Sequence, residues 1–386
     1  MSVNEDKSIK FQIASGILII ISFILAIFVV NVGHWSKYYT TFVSFPIYFG
    51  YGHFIHHSTM INFVNDGLMT LFFLLIGLEL KFHLVLGEYK HTKNLVLPTA
   101  AAIGGIVAPA LIYAFFNLDN ATIKGWAIPI ATDTAFMLGI LSFFNRRISK
   151  NLRAFVISFS LIDDAIALLI LALFYSKSPN FIAMNFCFGL LLLLIGLNRF
   201  GVKNSAYYLM VGVFLWVAMV EAGIHGTLCG AVLALTIPVE HGGRVNPSFD
   251  RLEEFLNPVV YFLILPLFIF INSGVHFASL SLPILTSNIS KGIICGLFIG
   301  KQLGISSLSY LVVKMRWGAL PANVSWLKFY AICILGGIGF TLSLFIGDLT
   351  FELGEPHAAM RAAVIIGSLL SAFLGAVMLM YAVKKD

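Results

Sequence analysis

AFVISFSLIDDAIALLILALFY, residues 154–175, is an apolar run long enough to cross a lipid bilayer, and two adjacent aspartates, Asp163 and Asp164, sit in its middle. An ionised carboxylate at that depth costs about 2.5 to 3.5 kcal/mol on insertion scales, so acids inside a membrane usually line a path for ions or protons. Outward from this run the pattern recurs. Asp66 lies in FVNDGLMTLFFLLIGLEL (63–80), Asp133 in AIPIATDTAFMLGIL (127–141), and one base, Lys301, in CGLFIGKQLGI (295–305). Carboxylates with a single lysine, all embedded in hydrocarbon, make a cation site.

The composition places the whole chain in the membrane. Hydrophobic residues make up 59% and charged residues 11%, and the mean hydropathy is +0.94, whereas soluble domains carry about 25% charged residues. The four cysteines, Cys187, Cys229, Cys295 and Cys333, stand singly in apolar segments, with neither disulfide nor metal-ligand spacing, and read as packing residues. A net charge of +6 could point to nucleic acid, but the bases lie in short loops between apolar spans. Membrane orientation accounts for them, and no nucleic-acid partner is expected.

Apolar stretches near the 20-residue spanning length number twelve: about 11–31, 59–80, 95–116, 122–143, 151–175, 181–198, 205–219, 222–238, 252–272, 289–313, 327–350 and 358–383. The seventh and eighth are short and interrupted by polar residues. The first is about twice the length of a signal-peptide h-region with no small-x-small cleavage site after it, so it is expected to remain as a helix. The fold class is therefore an all-α polytopic membrane protein with twelve spans. With the N-terminus in the cytoplasm, only Lys37, Lys124, Lys177, Lys291 and Arg361 fall on the outer side, while Lys90, Lys93, Arg146, Arg147 and most other bases collect inside. That asymmetry puts both termini in the cytoplasm.

Two spans are broken. GWAIPIATDTAF interrupts the fourth with a proline and a threonine-aspartate pair, and Gly336, Gly337 and Gly339 in LGGIGFTLSLF interrupt the eleventh. Each is the middle of a three-helix group, about 95–175 and 289–384, and an offset of seven spans inverts one group relative to the other. Paired interrupted helices in inverted repeats point to a transporter's midplane binding site. The glycines have a second reading, as small residues that let helices pack closely.

NDGLMTLFFLLIGLELK (65–81), GWAIPIATDTAFMLGIL (125–141), LIDDAIALLILALFY (161–175), GIHGTLCGAVLALTIP (223–238), RLEEFLNPVVYFLILPLFIFINSGV (251–275), LFIGKQLGI (297–305) and GGIGFTLSLFIG (336–347) together resemble the NhaA family of bacterial sodium/proton antiporters, in order and over nearly the whole chain. That family is itself a known instance of the paired-interruption rule, so the two arguments are not independent. The resemblance implies one transporter domain over residues 1–386 in the bacterial inner membrane. It implies two discontinuous helices crossing at the midplane beside a cytoplasmic funnel, and electrogenic export of Na⁺ or Li⁺ against entering protons. The protein would be a secondary transporter, not an enzyme, and needs no cofactor.

By that resemblance Asp164 is the principal carrier of Na⁺, Li⁺ and protons, and Asp163 a second carrier or gate that pairs with Lys301. Physical reasoning is compatible: neighbouring helical residues project about 100° apart, so one acid can face a cavity while the other faces a helix. A hard cation and protons then compete for the same oxygens, which is enough for exchange. Lys301 can serve as carrier or as stabiliser. Asp133 suits the exposed N-terminal dipole ends of the broken helices, with cation binding as a second role, and Thr132 beside it offers a hydroxyl or carbonyl ligand.

The family's pH-response positions match Glu79, Glu253 and His225. The chain departs from the family at His83, where an acid is frequent, and at Glu254 and Asn257, where histidines stand in well-known members. Glu79 and Lys81 can also be read as interfacial charges snorkelling to water, and His225 as a packing histidine. TFVSFPIYFGYGHFIHHS (41–58) alternates like a hairpin on the outer side, and the family uses such a hairpin to form a homodimer.

Other classes fit less well. An intramembrane aspartyl protease needs its acids on facing helices with a GxGD signature, and GGIGF carries no acid. A channel ring needs subunit symmetry. A sodium-coupled transporter of an organic solute is the closest alternative, and it would need a larger pocket with donors for the solute.

Overall fold

Lipid offers no partners to a backbone, so every buried N–H and C=O must bond within the segment, and apolar spans fold as helices. The computed structural model describes residues 2–51, 54–86, 92–118, 121–144, 148–175, 180–241, 244–279 and 281–385. Among them ten helices are long and apolar enough to cross a membrane, and two further apolar helices are shorter. The long ones are α1 (Ser2–Asn31), α3 (Met60–Val85), α4 (Thr92–Asn117), α6 (Lys150–Phe174), α7 (Phe181–Arg199), α10 (Pro247–Asn272), α11 (Asn288–Lys314) and α14 (Glu355–Lys385), with two broken ones. The short ones, α8 (Ser205–Glu221) and α9 (Thr227–Thr236), fall at the seventh and eighth stretches of the sequence reading. So the twelve expected spans appear as ten long helices and two shorter apolar ones among the described residues. Lys90, Arg146, Arg147 and Lys177, used in the orientation argument, lie outside the described residues.

The first broken helix begins as a tight 3-10 stretch, Ala121–Ile130, ending on Pro129 and Ile130, passes through extended backbone at Asp133, and resumes as α5, Thr134–Phe143. The second runs as α12, Trp326–Leu335, stops at Gly336 to Gly339, and resumes as α13, Phe340–Thr350. Its glycines do not need left-handed backbone, since Gly336 and Gly339 have φ of −59° and −94°. They are there for room: a Cβ on Gly337 would strike the Leu297 carbonyl and Ser371, and one on Gly339 would strike Ser343 and Leu297. Residues Trp326–Thr350 are 94% buried across their most apolar window, so this helix is wrapped by protein on all sides.

Two compact units divide the chain, Met1–Asn31, His91–Ala167 and Asn272–Asp386 in one, Val32–Lys90 and Leu168–Ile271 in the other. Within the first, α4 and α11 cross backbone to backbone. A Cβ on either Gly104 or Gly304 would collide with the carbonyl of the other, and Gly300 lies against Pro109 in the same seam. Small residues allow that approach, and without a hydrophobic drive between helices in lipid, close packing is what holds such a pair. α1 meets α5 in the same way at Gly16 and Gly139.

Within the second unit, α9 lies in contact with α3 at Gly230 and Gly77, where a Cβ would meet Thr70 and Ala234. α2 (Trp35–Val43) leads into the antiparallel hairpin β1 (Pro46–Tyr51) and β2 (Phe54–Thr59), in register from Pro46 opposite Thr59 to Tyr51 opposite Phe54. Gly52 and His53 at its tip lie outside the described residues. The Tyr39 hydroxyl on α2 donates to the carbonyls of Phe270 (2.9 Å) and Ile271 (2.6 Å) on α10. A second small ladder, β3 (Glu240–His241) with β4 (Arg244–Val245), was not anticipated by the sequence reading. The helical fold thus carries two minor hairpins. The cysteines are free, three buried and Cys295 half-buried.

The α4–α11 seam gives a direct test. Gly104→Val should lower the thermal midpoint of the detergent-purified protein, by the equivalent of about 1 to 3 kcal/mol or more for overpacking a seam that leaves no space. A midpoint equal to that of the unaltered protein would show that the two backbones do not touch there.

Candidate functional site

The two breaks of the first unit lie against each other, and their unpaired backbone groups decide what surrounds them. Each helix start leaves N–H groups without partners and a partial positive charge. Asp133 answers both starts with one side chain. Its Oδ1 accepts from Phe136 N (3.0 Å), capping α5, and its Oδ2 accepts from Thr341 N (3.1 Å) and Thr341 Oγ1 (2.7 Å) at the start of α13. The Asp133 amide donates to the Ile338 carbonyl at 2.5 Å, which binds the two breaks backbone to backbone. Ser368 on α14 completes the α13 start by accepting from Gly339 N and Phe340 N, both at 3.2 Å.

Helix ends are answered by hydroxyls. Thr132 Oγ1 donates to the Gly336 carbonyl (3.0 Å) just past α12, and Ser343 Oγ to the Ile128 carbonyl (2.7 Å) near the end of the 3-10 stretch. Thr132 is also the link to the lysine. Lys301 Nζ donates to Thr132 Oγ1 (2.8 Å) and to Asp163 Oδ2 (3.0 Å) and Oδ1 (3.3 Å). Lys301 and Asp163 are both fully buried. The lysine follows a wide π-helical turn, Gly296–Gly300, a feature found frequently at functional sites.

Asp164 faces a different neighbour. Its Oδ2 accepts from Thr134 Oγ1 at 3.3 Å, and it keeps 6% exposure where Asp163 has none. The roughly 100° between adjacent helical residues has thus separated the pair, one acid committed to a lysine and the other to a single hydroxyl. An acid with one hydroxyl partner can exchange what it binds. An acid clamped by an ammonium must first lose that partner.

Asp163, Asp164, Lys301, Asp133 and Thr132 therefore come together in the first unit. The remaining candidates belong to the second. Glu79 is within electrostatic reach of Glu253, which is also close to Asp250 and Glu254. Lys81 Nζ donates to the Leu235 carbonyl (2.7 Å) and to that of Ile237, placing a cation at the C-terminal end of α9. His83 lies edge-on to the Phe82 ring at 5.7 Å, and His225 Nε2 bonds the Tyr175 carbonyl at 2.8 Å. Asp66 sits in a π-helical turn, Phe63–Leu68, with its carbonyl bonded by Thr70 Oγ1 (2.7 Å) and Trp216 Nε1 (3.3 Å).

Sequence reasoning missed Thr134, Thr341, Ser343 and Ser368, hydroxyls whose presence in a helix leaves no imprint on hydropathy. It also missed a buried network at the far end of α13. Asp348 Oδ1 accepts from His357 Nε2 (2.8 Å) and from Arg361 Nε (3.3 Å) and Nη2 (3.2 Å), and Arg361 Nη2 also donates to Asn272 Oδ1 (3.1 Å). The one hint in the sequence was that Asp348, His357 and Arg361 flank a single short turn, while Asn272 comes from a distant helix.

A family model described as Na+/H+ antiporter 1 matches residues 6–379. A protein of Rickettsia massiliae named Na(+)/H(+) antiporter NhaA is 55% identical over 393 residues, spanning all of this chain and 97% of that protein. Na(+)/H(+) antiporter NhaA 2 of Saccharophagus degradans is 41% identical over 95% of this chain and 97% of its own length. Among solved structures, the sodium proton antiporter MjNhaP1 of Methanocaldococcus jannaschii superposes with a TM-score of 0.51 at 14% identity, over 83% of this chain and 86% of that one. That likeness concerns the polytopic helical fold alone.

The Lys301–Asp163 pair can be tested by a mutant cycle. Removing one partner strands a buried charge and is expected to cost about 3 to 5 kcal/mol, while removing both is often far milder. Asp163→Asn and Lys301→Met should each depress the thermal midpoint, and the double variant should recover much of the loss. Additive losses would show that the two side chains do not pair.

Proposed function

This chain belongs to the Na+/H+ antiporter 1 family, and from that membership we infer that it is an electrogenic antiporter of the bacterial inner membrane. It is a multi-pass secondary transporter that exports Na⁺ or Li⁺ in exchange for protons. The observation that carries the mechanism is the division of labour in the acid pair, Asp163 held by Lys301 and Asp164 left with one hydroxyl.

In this reading Asp164 binds either a cation or protons, and the site changes access only when loaded. Its residual exposure supports its being the acid that an ion reaches first. Asp163 joins the site when Lys301 withdraws, so a cation arriving at Asp164 competes with an ammonium for the second carboxylate. That exchange of one positive charge for another couples binding to a rearrangement of α11, which carries the lysine. Asp133 and Thr132 hold the crossing together, Asp133 by neutralising two helix starts and Thr132 by passing a hydrogen bond from Lys301 to the Gly336 carbonyl.

Finer features belong to the same proposal. The chain would cross the membrane twelve times, α8 and α9 being short crossings, with both termini cytoplasmic. The three-helix groups about 95–175 and 289–384 would be inverted copies, and each contains one broken helix. Glu79, His83, His225, Glu253 and Glu254 would shape the response to pH on the cytoplasmic side, with Asp66 a further membrane acid. The β1–β2 hairpin would join two copies into a homodimer. Sodium-coupled solute uptake is the competing activity, and it is separated by measuring Na⁺-driven proton flux in proteoliposomes without any organic solute.

Two outcomes are expected in that assay. Asp164→Asn should abolish exchange while the purified protein keeps its fold, because the substitution removes charge at constant volume; exchange near the unaltered rate would remove Asp164 from the mechanism. Raising the proton concentration should raise the apparent KM for Na⁺. A KM that stays flat between neutral and alkaline pH would rule out a shared site.

A further inference from the structure

Asp163 and Asp164 are not the only oxygen-bearing side chains on their stretch of α6. Ser160 stands one helical turn before them, fully buried, and it is among the buried hydroxyls of the described residues that have no hydrogen-bond partner. Several helical hydroxyls elsewhere in this protein satisfy themselves on the carbonyl four residues back, Thr350 on Ile346 (2.6 Å), Ser306 on Gln302 (2.6 Å) and Thr70 on Asp66 (2.7 Å), whereas Thr227, Ser309 and Ser371 are unpartnered like Ser160 but do not adjoin the acid pair in sequence. Ser160 has the same opportunity at Val156 and does not take it.

Helix geometry fixes where the residue stands. Seen down the axis, Asp163 is turned by about 60° to one side of Ser160 and Asp164 by about 40° to the other, so the serine lies between the two acids in azimuth. Side chains on a helix lean toward its N-terminus, which places both aspartates over the turn that carries Ser160. An unpartnered hydroxyl beneath two carboxylates, one of them partnered by a single hydroxyl, is an oxygen ligand in waiting.

We infer that Ser160 Oγ is a ligand of the transported cation, completing the coordination begun by Asp164 and setting the preference between Na⁺ and Li⁺. The inference rests on the antiport reading above. Hard cations take oxygen donors, and a hydroxyl supplies lone pairs without adding negative charge. A carboxylate binds a cation or a proton, whereas a serine hydroxyl coordinates the cation and takes up no proton. Ser160 thus tilts the competition at the shared carboxylates toward the cation. It also lies on the N-terminal side of the acid pair, the side from which the cation arrives if α6 starts in the cytoplasm.

The test uses the full-length protein in proteoliposomes, with NaCl or LiCl driving proton flux, and compares Ser160→Ala and Ser160→Cys with the unaltered chain. Loss of one polar contact should raise the apparent KM for Na⁺ by about fivefold in Ser160→Ala and change the ratio of the Na⁺ and Li⁺ values. The rise in thermal midpoint produced by NaCl should shrink, while the midpoint without cation should stay level or increase, because an unsatisfied buried hydroxyl has been removed. A residue that merely packs would not move the ion ratio. Ser160→Cys exchanges a hard oxygen for a soft sulfur at similar volume and should shift the ratio in the same direction, so it carries the test if the alanine variant does not fold. Unaltered KM values for both ions in a folded variant overturn the assignment. Absence of Na⁺-driven flux in the unaltered protein would instead overturn the antiport reading itself.

Discussion

One carboxylate shared between two helix starts is the constraint on which the first unit depends. α5 and α13 both begin in the interior of their spans, and Asp133 supplies an acceptor to the first amides of each. A break in a membrane helix exposes groups that each cost several kcal/mol when left unpaired in lipid. Two breaks placed together can answer each other, and the exchanged bonds from Asp133 N to Ile338, Thr132 to Gly336 and Ser343 to Ile128 do this. A lone break would need solvent or ions in their place.

The lysine belongs to the same economy of charge. Thr132 is bonded at once to the Gly336 carbonyl and to Lys301, so the ammonium is coupled to the end of α12 as well as to Asp163. Its position is set by the α4–α11 seam, where glycines and Pro109 bring the two backbones into contact directly beside it. On the proposed mechanism, displacement of this one cation by another reaches the broken helices through a single hydroxyl.

Much of this was legible in the chain because charge in an apolar run cannot be hidden. Asp133, Asp163, Asp164 and Lys301 stand out on hydropathy alone, and the structure gathers them in one unit. The interruptions at Thr132–Asp133 and at Gly336–Gly339 were visible for a similar reason, though the glycines turn out to be selected for close approach and not for unusual backbone angles. What stayed hidden were groups whose cost is small when misplaced. Thr134, Thr341 and Ser368 are tolerated in any helix, and only three-dimensional placement gives them a task. The π-helical turns at Phe63–Leu68, Val260–Ile264 and Gly296–Gly300 leave no periodic signature over so few residues. Arg361 read as an ordinary outer-loop base because its partners, Asp348 and Asn272, come from two other helices.

That last network changes how the second half of the broken helix can behave. α13 is fastened to α14 at both of its ends, by Ser368 holding its first amides and by His357 and Arg361 holding Asp348 near its last turn. A rod pinned to its neighbour at two separated points cannot roll or slide against it. α13 and α14 therefore behave as one stiff plate, and any movement of that plate against α12 has to release the bonds that Thr132 and Asp133 make to the glycine link before Phe340.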